Sequence, residues 1–155
     1  LDGIVYGKGP GSFTGVRIGV AITQGLAFGA NLPVIGVSNL ALMAQQAIDE
    51  LGVSQVICAI DARMSEVYFA VYQNKDNLDF NLAADAVAVG TGWQTYESEL
   101  ISYFNCKLTD IYLPNAKYAF KLAQDGFANG EALDAELAQP SYVRDEVTWK
   151  KLPGR

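Results

Sequence analysis

The sequence predicts an α/β protein built as two lobes. Over residues 1–54, short β-branched and aromatic runs alternate with segments of helical period. At Ser54 the pattern changes to two consecutive strands joined by a tight turn. Half of the 155 residues are hydrophobic and 18% are charged, which is enough apolar side chain for a packed core. Strand–helix alternation predicts parallel pairing with right-handed crossovers. A hairpin starts a new sheet more naturally than it continues such a run. The lobe boundary is therefore placed near residue 54, giving a first lobe over 1–54 and a second over 55–155.

Each element has a local reason. "GIVYG" is a short run bounded by glycines and reads as a buried strand. The loop "KGPGS" contains Pro10 between Gly9 and Gly11, so it turns sharply. Ser12 or Thr14 caps a helix from about Thr14 to Phe28, with Gly29 and Asn31 as stop signals. "LPVIGV" is a second strand. "SNLALMAQQAIDELG" is a helix capped by Ser38 or Asn39 and ended by Gly52. Its apolar positions Leu40, Met43, Ala44, Ala47, Ile48 and Leu51 repeat at helical spacing and predict a core face. "QVICAID" and "EVYFAVYQ" form the hairpin around "ARMS". Residues 74–86 carry turn residues and no period. "VAVGTGW" reads as a strand and a glycine turn, "YESELISYF" as a short helix and "DIYLP" as a brief strand. "NAKYAFKLAQDGFANG" is a helix capped by Asn115 and stopped near Gly130. The end of the chain reads as an irregular tail packed on the body through Tyr142 and Trp149.

Composition excludes several functions. There is no histidine, which removes Ser-His-Asp triads, Cys-His dyads and every His-ligated metal site. The formal net charge of -6 gives no global footprint for nucleic acid. The two cysteines, Cys58 and Cys106, do not make a disulfide framework, and Cys58 in "VICAI" reads as a small buried hydrophobe. A reducing cytoplasm is the simpler setting. No run approaches the about 18 apolar residues of a membrane span. The chain opens at Leu1 on the edge of a strand, so an N-terminal piece is expected to be missing.

The stretch "GKGPGSFTGVRIGVAITQGLAFGAN" concentrates the functional signals. A glycine-rich loop at a helix N-terminus attracts anions. Yet Lys8 precedes the loop instead of ending it, and Thr14 stands where a third glycine would complete G-x-G-x-x-G, so the nucleotide signal is weak. A tight strand-to-helix turn is the other reading. Gly9, Gly11, Ser12, Thr14 and Arg17, with Asp61 and Arg63 of the hairpin, are the candidates for anion or nucleotide contact. In the helix, Gly15, Gly19, Gly25 and Gly29 each carry the cost of glycine in a helix interior, about 1 kcal/mol against alanine. Gly15 and Gly19 share a stripe with Ile22 and Leu26, while Ala21, Gly25 and Gly29 form a second. Such a helix suits close packing on two sides: one its own sheet, the other a partner helix or a further part of this protein. Gly15, Ile18, Gly19, Ile22, Gly25, Leu26 and Gly29 are the candidate partner-binding residues.

The stretch from Gly7 to Leu40, then "AIDARMSEVYFAVY", "VGTGW" and "PSYVRDEVTWKKLPG", resemble in order the TsaB (YeaZ) family. That resemblance implies an actin-like, RNase H-like two-lobe fold of the ASKHA group, with the first lobe truncated at its N-terminus. The family's first hairpin, with its Asp-Thr, and its first helix have no counterpart in these residues. It also implies a non-catalytic scaffold and activator in forming threonylcarbamoyladenosine at position 37 of tRNA. The implied partners are a TsaD-like catalytic subunit, a TsaE-like ATPase and, for some members, a second copy of the chain. Contact with tRNA is expected only indirectly, and none with a membrane. No cofactor is expected in the isolated chain, and ATP only in the complex. Catalytic relatives hold metal with His-x-x-x-His in a stretch similar to "GVNHLEGH". Here "GVSNLALM" puts Asn39 and Met43 at those positions, read as a helix cap and a core residue.

Two other functions compete. One is an enzyme of the same fold, a peptidase or small-molecule kinase, although Ser12 has no visible base. The other is direct tRNA binding through Trp149, Lys150, Lys151 and Arg155, the only basic-aromatic cluster. Asp61, Arg63 and Glu66 are expected to order the hairpin turn as a local ion-pair network, or to contact a ligand or partner.

Overall fold

The computed structural model describes residues 1–73 and 82–143. Two sheets form, joined through one helix. Strand β1 (Ile4–Gly9) is followed by helix α1 (Phe13–Ala30) and strand β2 (Val34–Ser38). β1 and β2 pair in parallel, with Ile4 opposite Val34 and Gly7 opposite Val37. Both ends of α1 are fixed locally. The Ser12 hydroxyl accepts the Gly15 N–H, and Asn31 closes the helix in the left-handed region at φ 52°.

Helix α2 (Asn39–Leu51) starts directly after β2, with the Ser38 hydroxyl accepting the Ala41 N–H. Ser38, not Asn39, is thus the cap. Strand β3 (Gln55–Arg63) then pairs antiparallel with β4 (Glu66–Gln73) and parallel with β5 (Val87–Val89), and β5 pairs with β6 (Lys107–Leu108). The sheet order is β4-β3-β5-β6.

Helix α2 packs Leu40, Met43, Ala44 and Ala47 on Val56, Cys58, Val87, Val89 and Ile111 of this second sheet. Its Leu42 faces the other way, against Val37 of β2 and against Ala119 and Ala123 of helix α5 (Ala119–Ala128). The predicted core face holds except at Leu51, which is half exposed at the last turn. The opposite face of the second sheet is covered by Trp93, Leu100 and Phe104 from the short helices α3 (Thr91–Thr95) and α4 (Glu97–Ile101) and the turn after them.

After β6 the chain returns to the first sheet. Ala119, Leu122, Ala123 and Phe127 of α5 pack around Val5, Ile35 and Val37. Leu133 forms an antiparallel bridge with Val34, and a 3-10 turn at Ala135–Leu137 packs beside α1. A lobe drawn from 55 to 155 therefore includes segments seated on β1 and β2.

The strand expected in "DIYLP" forms earlier, at Lys107–Leu108. The Thr109 hydroxyl donates to the Ala88 carbonyl and accepts the Ile111 N–H, and the Ile111 carbonyl still accepts the Gly90 N–H at 2.7 Å, so the contact with the β5 side reaches into the expected stretch as far as Ile111. "GTGW" forms α3 instead of a simple turn. Of the irregular segment over 74–86, residues 74–81 lie outside the described residues, as do Trp149 and the basic residues beside it.

Candidate docking face and its supporting loops

Helix α1 presents two chemically distinct sides. Val20, Thr23 and Ala27 are buried against the body. The Thr23 hydroxyl is satisfied by the Gly19 carbonyl at 2.8 Å. On the other side Ile18, Ile22 and Leu26, spaced at i, i+4 and i+8, are 54%, 56% and 60% exposed. Gly15, Gly19, Gly25 and Gly29 are all exposed with them. A methyl group added at Gly19, Gly25 or Gly29 would meet nothing within 4 Å. Neither glycine stripe faces the protein's own sheet, so the close approach that they permit is directed outward. The seven candidate partner-binding residues form one continuous surface.

The loop before α1 is braced from within. The Asn39 side-chain amide donates to the Pro10 carbonyl at 3.1 Å, across the parallel strand pair. Gly9 lies at φ 103°, where only glycine is unstrained, and it backs onto the Ser141 carbonyl. Ser12 is occupied as helix cap. The Arg17 guanidinium stacks over the Phe13 ring, 3.4 Å from its centre, and its Nε donates to the Tyr142 hydroxyl at 2.9 Å. Thr14 is exposed on the first turn. The side chains of Ser12 and Arg17 are thus engaged in holding the start of the helix.

Asp61 and Arg63 belong to a second locus with its own partners. The Asp61 carboxylate accepts the Arg63 N–H at 2.8 Å and pairs with the Arg63 guanidinium at 3.2 Å. The Tyr96 hydroxyl donates to the same carboxylate at 3.4 Å, and the Asp61 N–H goes to the Thr91 hydroxyl at 3.1 Å. Gly90, at φ 105°, and Gly92 press on the Ala59 backbone, and the Trp93 indole N–H donates to the Ile57 carbonyl at 3.1 Å. "IDAR" and "VGTGW" are therefore one structural unit. Sequence reasoning missed Thr91 and Tyr96 because their link to Asp61 spans 30 and 35 residues. It also missed Gln24, whose amide reaches the carbonyls of Glu136 and Ala138.

Asn39 and Met43 are both committed to structure. Met43 is fully buried in the core, and Asn39 holds the loop. Among the described residues no helix is long and apolar enough to cross a membrane.

The parallel β–α–β unit, the second sheet led by its antiparallel hairpin and the helix between them define an α/β protein of the actin-like, RNase H-like class. A family model described as tRNA N6-adenosine threonylcarbamoyltransferase, TsaD, matches residues 1–89. The tRNA threonylcarbamoyladenosine biosynthesis protein TsaB of Haemophilus influenzae is 45% identical, the match covering 100% of this chain and 75% of that protein. The Escherichia coli protein of the same name is 42% identical, over 100% of this chain and 76% of its own length. The structure of YeaZ from Pseudomonas aeruginosa superposes with a TM-score of 0.79 at 38% identity, covering 92% of this chain and 74% of that one. The chain belongs to the TsaB (YeaZ) family.

Proposed function

We propose that this chain is a non-catalytic scaffold and activator in tRNA threonylcarbamoyladenosine biosynthesis, and that it docks a TsaD-like catalytic subunit through the outer face of α1. The observation that carries the reading is the Ile18–Ile22–Leu26 stripe, open along its length and flanked by glycines with no neighbour above them. Burying the exposed half of three such side chains contributes about 1 kcal/mol apiece. The glycines let a second helix backbone come close enough for that burial to be complete. Asn39 and Met43 support the non-catalytic part. They stand where the catalytic relatives are expected to carry metal-binding histidines, and both are held by internal contacts. A TsaE-like ATPase, ATP and tRNA enter this reading only through the assembled complex.

The test is isothermal titration of the TsaD-like subunit with Gly19→Leu and Gly25→Leu variants, alongside light scattering of each chain alone. Both substitutions fit the free protein, so folding is retained while the partner is pushed away. A folded variant that binds with normal affinity overturns the reading. Light scattering also reports whether a second copy of the chain uses the same stripe.

A further inference from the structure

Helix α1 meets its own body through Val20, Thr23 and Ala27, none of them large. The one large side chain in this contact, Tyr6, comes from β1, and the helix itself offers no large knob, so the contact sets the distance of the helix better than its rotation. Directional bonds come instead from the segment after the 3-10 turn. The Gln24 amide donates to the Ala138 carbonyl at 3.0 Å and to the Glu136 carbonyl at 3.4 Å. The Tyr142 hydroxyl accepts from Arg17 at 2.9 Å. Between these points the segment is tied to β1. The Tyr6 hydroxyl exchanges hydrogen bonds with Gln139, and the Ser141 N–H donates to the Lys8 carbonyl at 2.7 Å.

Arg17 and Gln24 are two turns apart, within about 20° of each other around the helix. On the same wheel they lie beside the buried line of Val20, Thr23 and Ala27, on the side away from the open line of Ile18, Ile22 and Leu26. We propose that residues 138–142 form a strap that fixes the rotation of α1 about its axis and so aims the Ile18–Ile22–Leu26 stripe at its partner, with Gln24 and Tyr142 as the positioning residues. This rests on the docking reading above and names the part of the chain that regulates it. The strap contributes its bonds beside the buried line, on the side of the helix away from the stripe, and leaves the stripe open.

The experiment measures the affinity of the full chain for the TsaD-like subunit, with the melting temperature of each variant beside it. Gln24→Glu keeps the shape of the side chain but points an acceptor at two carbonyls. Gln24→Lys keeps a donor and serves as the rescue. Tyr142→Phe removes only the hydroxyl. Ile22→Glu tests the stripe itself. The expected result is a loss of about tenfold in affinity for Gln24→Glu and for Tyr142→Phe, with a fall in melting temperature of only about a few degrees so that both stay folded at the assay temperature, and near-normal binding by Gln24→Lys. If Ile22→Glu abolishes binding while Gln24→Glu and Tyr142→Phe bind normally, the strap proposal is overturned and the docking reading stands. If Ile22→Glu also binds normally, the docking reading fails and the strap's role with it.

Discussion

The Thr91 hydroxyl accepts the backbone N–H of Asp61 at 3.1 Å and so fastens the turn end of the β3–β4 hairpin to the helix that follows β5. Asp61 in turn holds the turn through its carboxylate. Thr91→Val keeps the shape and removes the acceptor, leaving a half-buried N–H without its partner. The expected loss is about 1–2 kcal/mol in urea unfolding, and Thr91→Ser should recover most of it. Equal stability of the Val and Ser variants would show that the link is incidental.

Two residues beyond that link, the tip of the hairpin is strained. Arg63, Met64 and Ser65 have φ of 64°, 57° and 62°, and Met64 and Ser65 form a two-residue connection. Positive φ at both central positions is the geometry that favours Asn-Gly. Ser65→Gly is expected to raise stability by about 1 kcal/mol, since the left-handed region costs a side-chain-bearing residue about that much. Thermal unfolding of the variant measures it, and an unchanged or lower midpoint contradicts it.

Gly90 is the opposite case. A methyl group there would lie 2.2 Å from the Ala59 carbonyl oxygen, and the backbone sits at φ 105°. Gly90→Ala is expected to cost upward of about 3 kcal/mol, because both the close approach and the dihedral fail together. Soluble yield and the urea midpoint read it out.

Much of this frame was legible because it is local. The ends of α1 were visible in Ser12 and Asn31, whose caps reach only a few residues. The alternation in "EVYFAVYQ" announced β4, and Met43 and Ala47 announced the core face of α2. What stayed hidden was long-range. The apolar positions of α5 show that it is a helix but not which sheet receives it. The Gln24–Ala138 bond joins residues 114 apart, and no local pattern marks either end. At α1 the glycine stripes were visible, but the side facing the sheet was not, because Val20, Thr23 and Ala27 are as unremarkable in sequence as the residues beside them. Helix α3 was hidden by its own composition, since "TGWQT" is a poor helix former that is shaped by the press of Gly90 and Gly92 on Ala59.

Helix α2 is joined to α5 and to the 3-10 turn just before it (Ala116–Tyr118) by a pH-sensitive contact. The Tyr118 hydroxyl donates to Glu50, and Lys121 pairs with Asp49 at 2.6 Å. The hydrogen bond to Glu50 pushes the Tyr118 phenol up from 10.0 to about 12. The same bond lowers Glu50, and the hydrogen bond from Lys121 lowers Asp49. The phenol contributes stability that is whole below about pH 10 and lost as pH rises through about 12. The carboxylates contribute stability that is present above their unfolded values and lost as pH falls through their lowered folded values. Tyr118→Phe should therefore be less stable than the parent at neutral pH, with the gap narrowing at both the acid and the alkaline end. A constant gap across pH would mean that the loss is one of packing alone.

The glycines of α1 separate stability from binding. Gly19 and Gly25 have open space where a Cβ would go, and both lie within an α-helix. In the free protein Gly19→Ala and Gly25→Ala are each expected to stabilise by about 1 kcal/mol, through helix propensity and a less flexible unfolded chain. Against a partner helix the same methyl groups hold the two backbones apart, so affinity for the TsaD-like subunit should fall while the melting temperature rises. Urea unfolding and isothermal titration on each of the two variants give the two signs. A gain in stability with unchanged affinity would mean that no backbone approaches this face closely, and the four glycines of α1 would then need a reason other than docking.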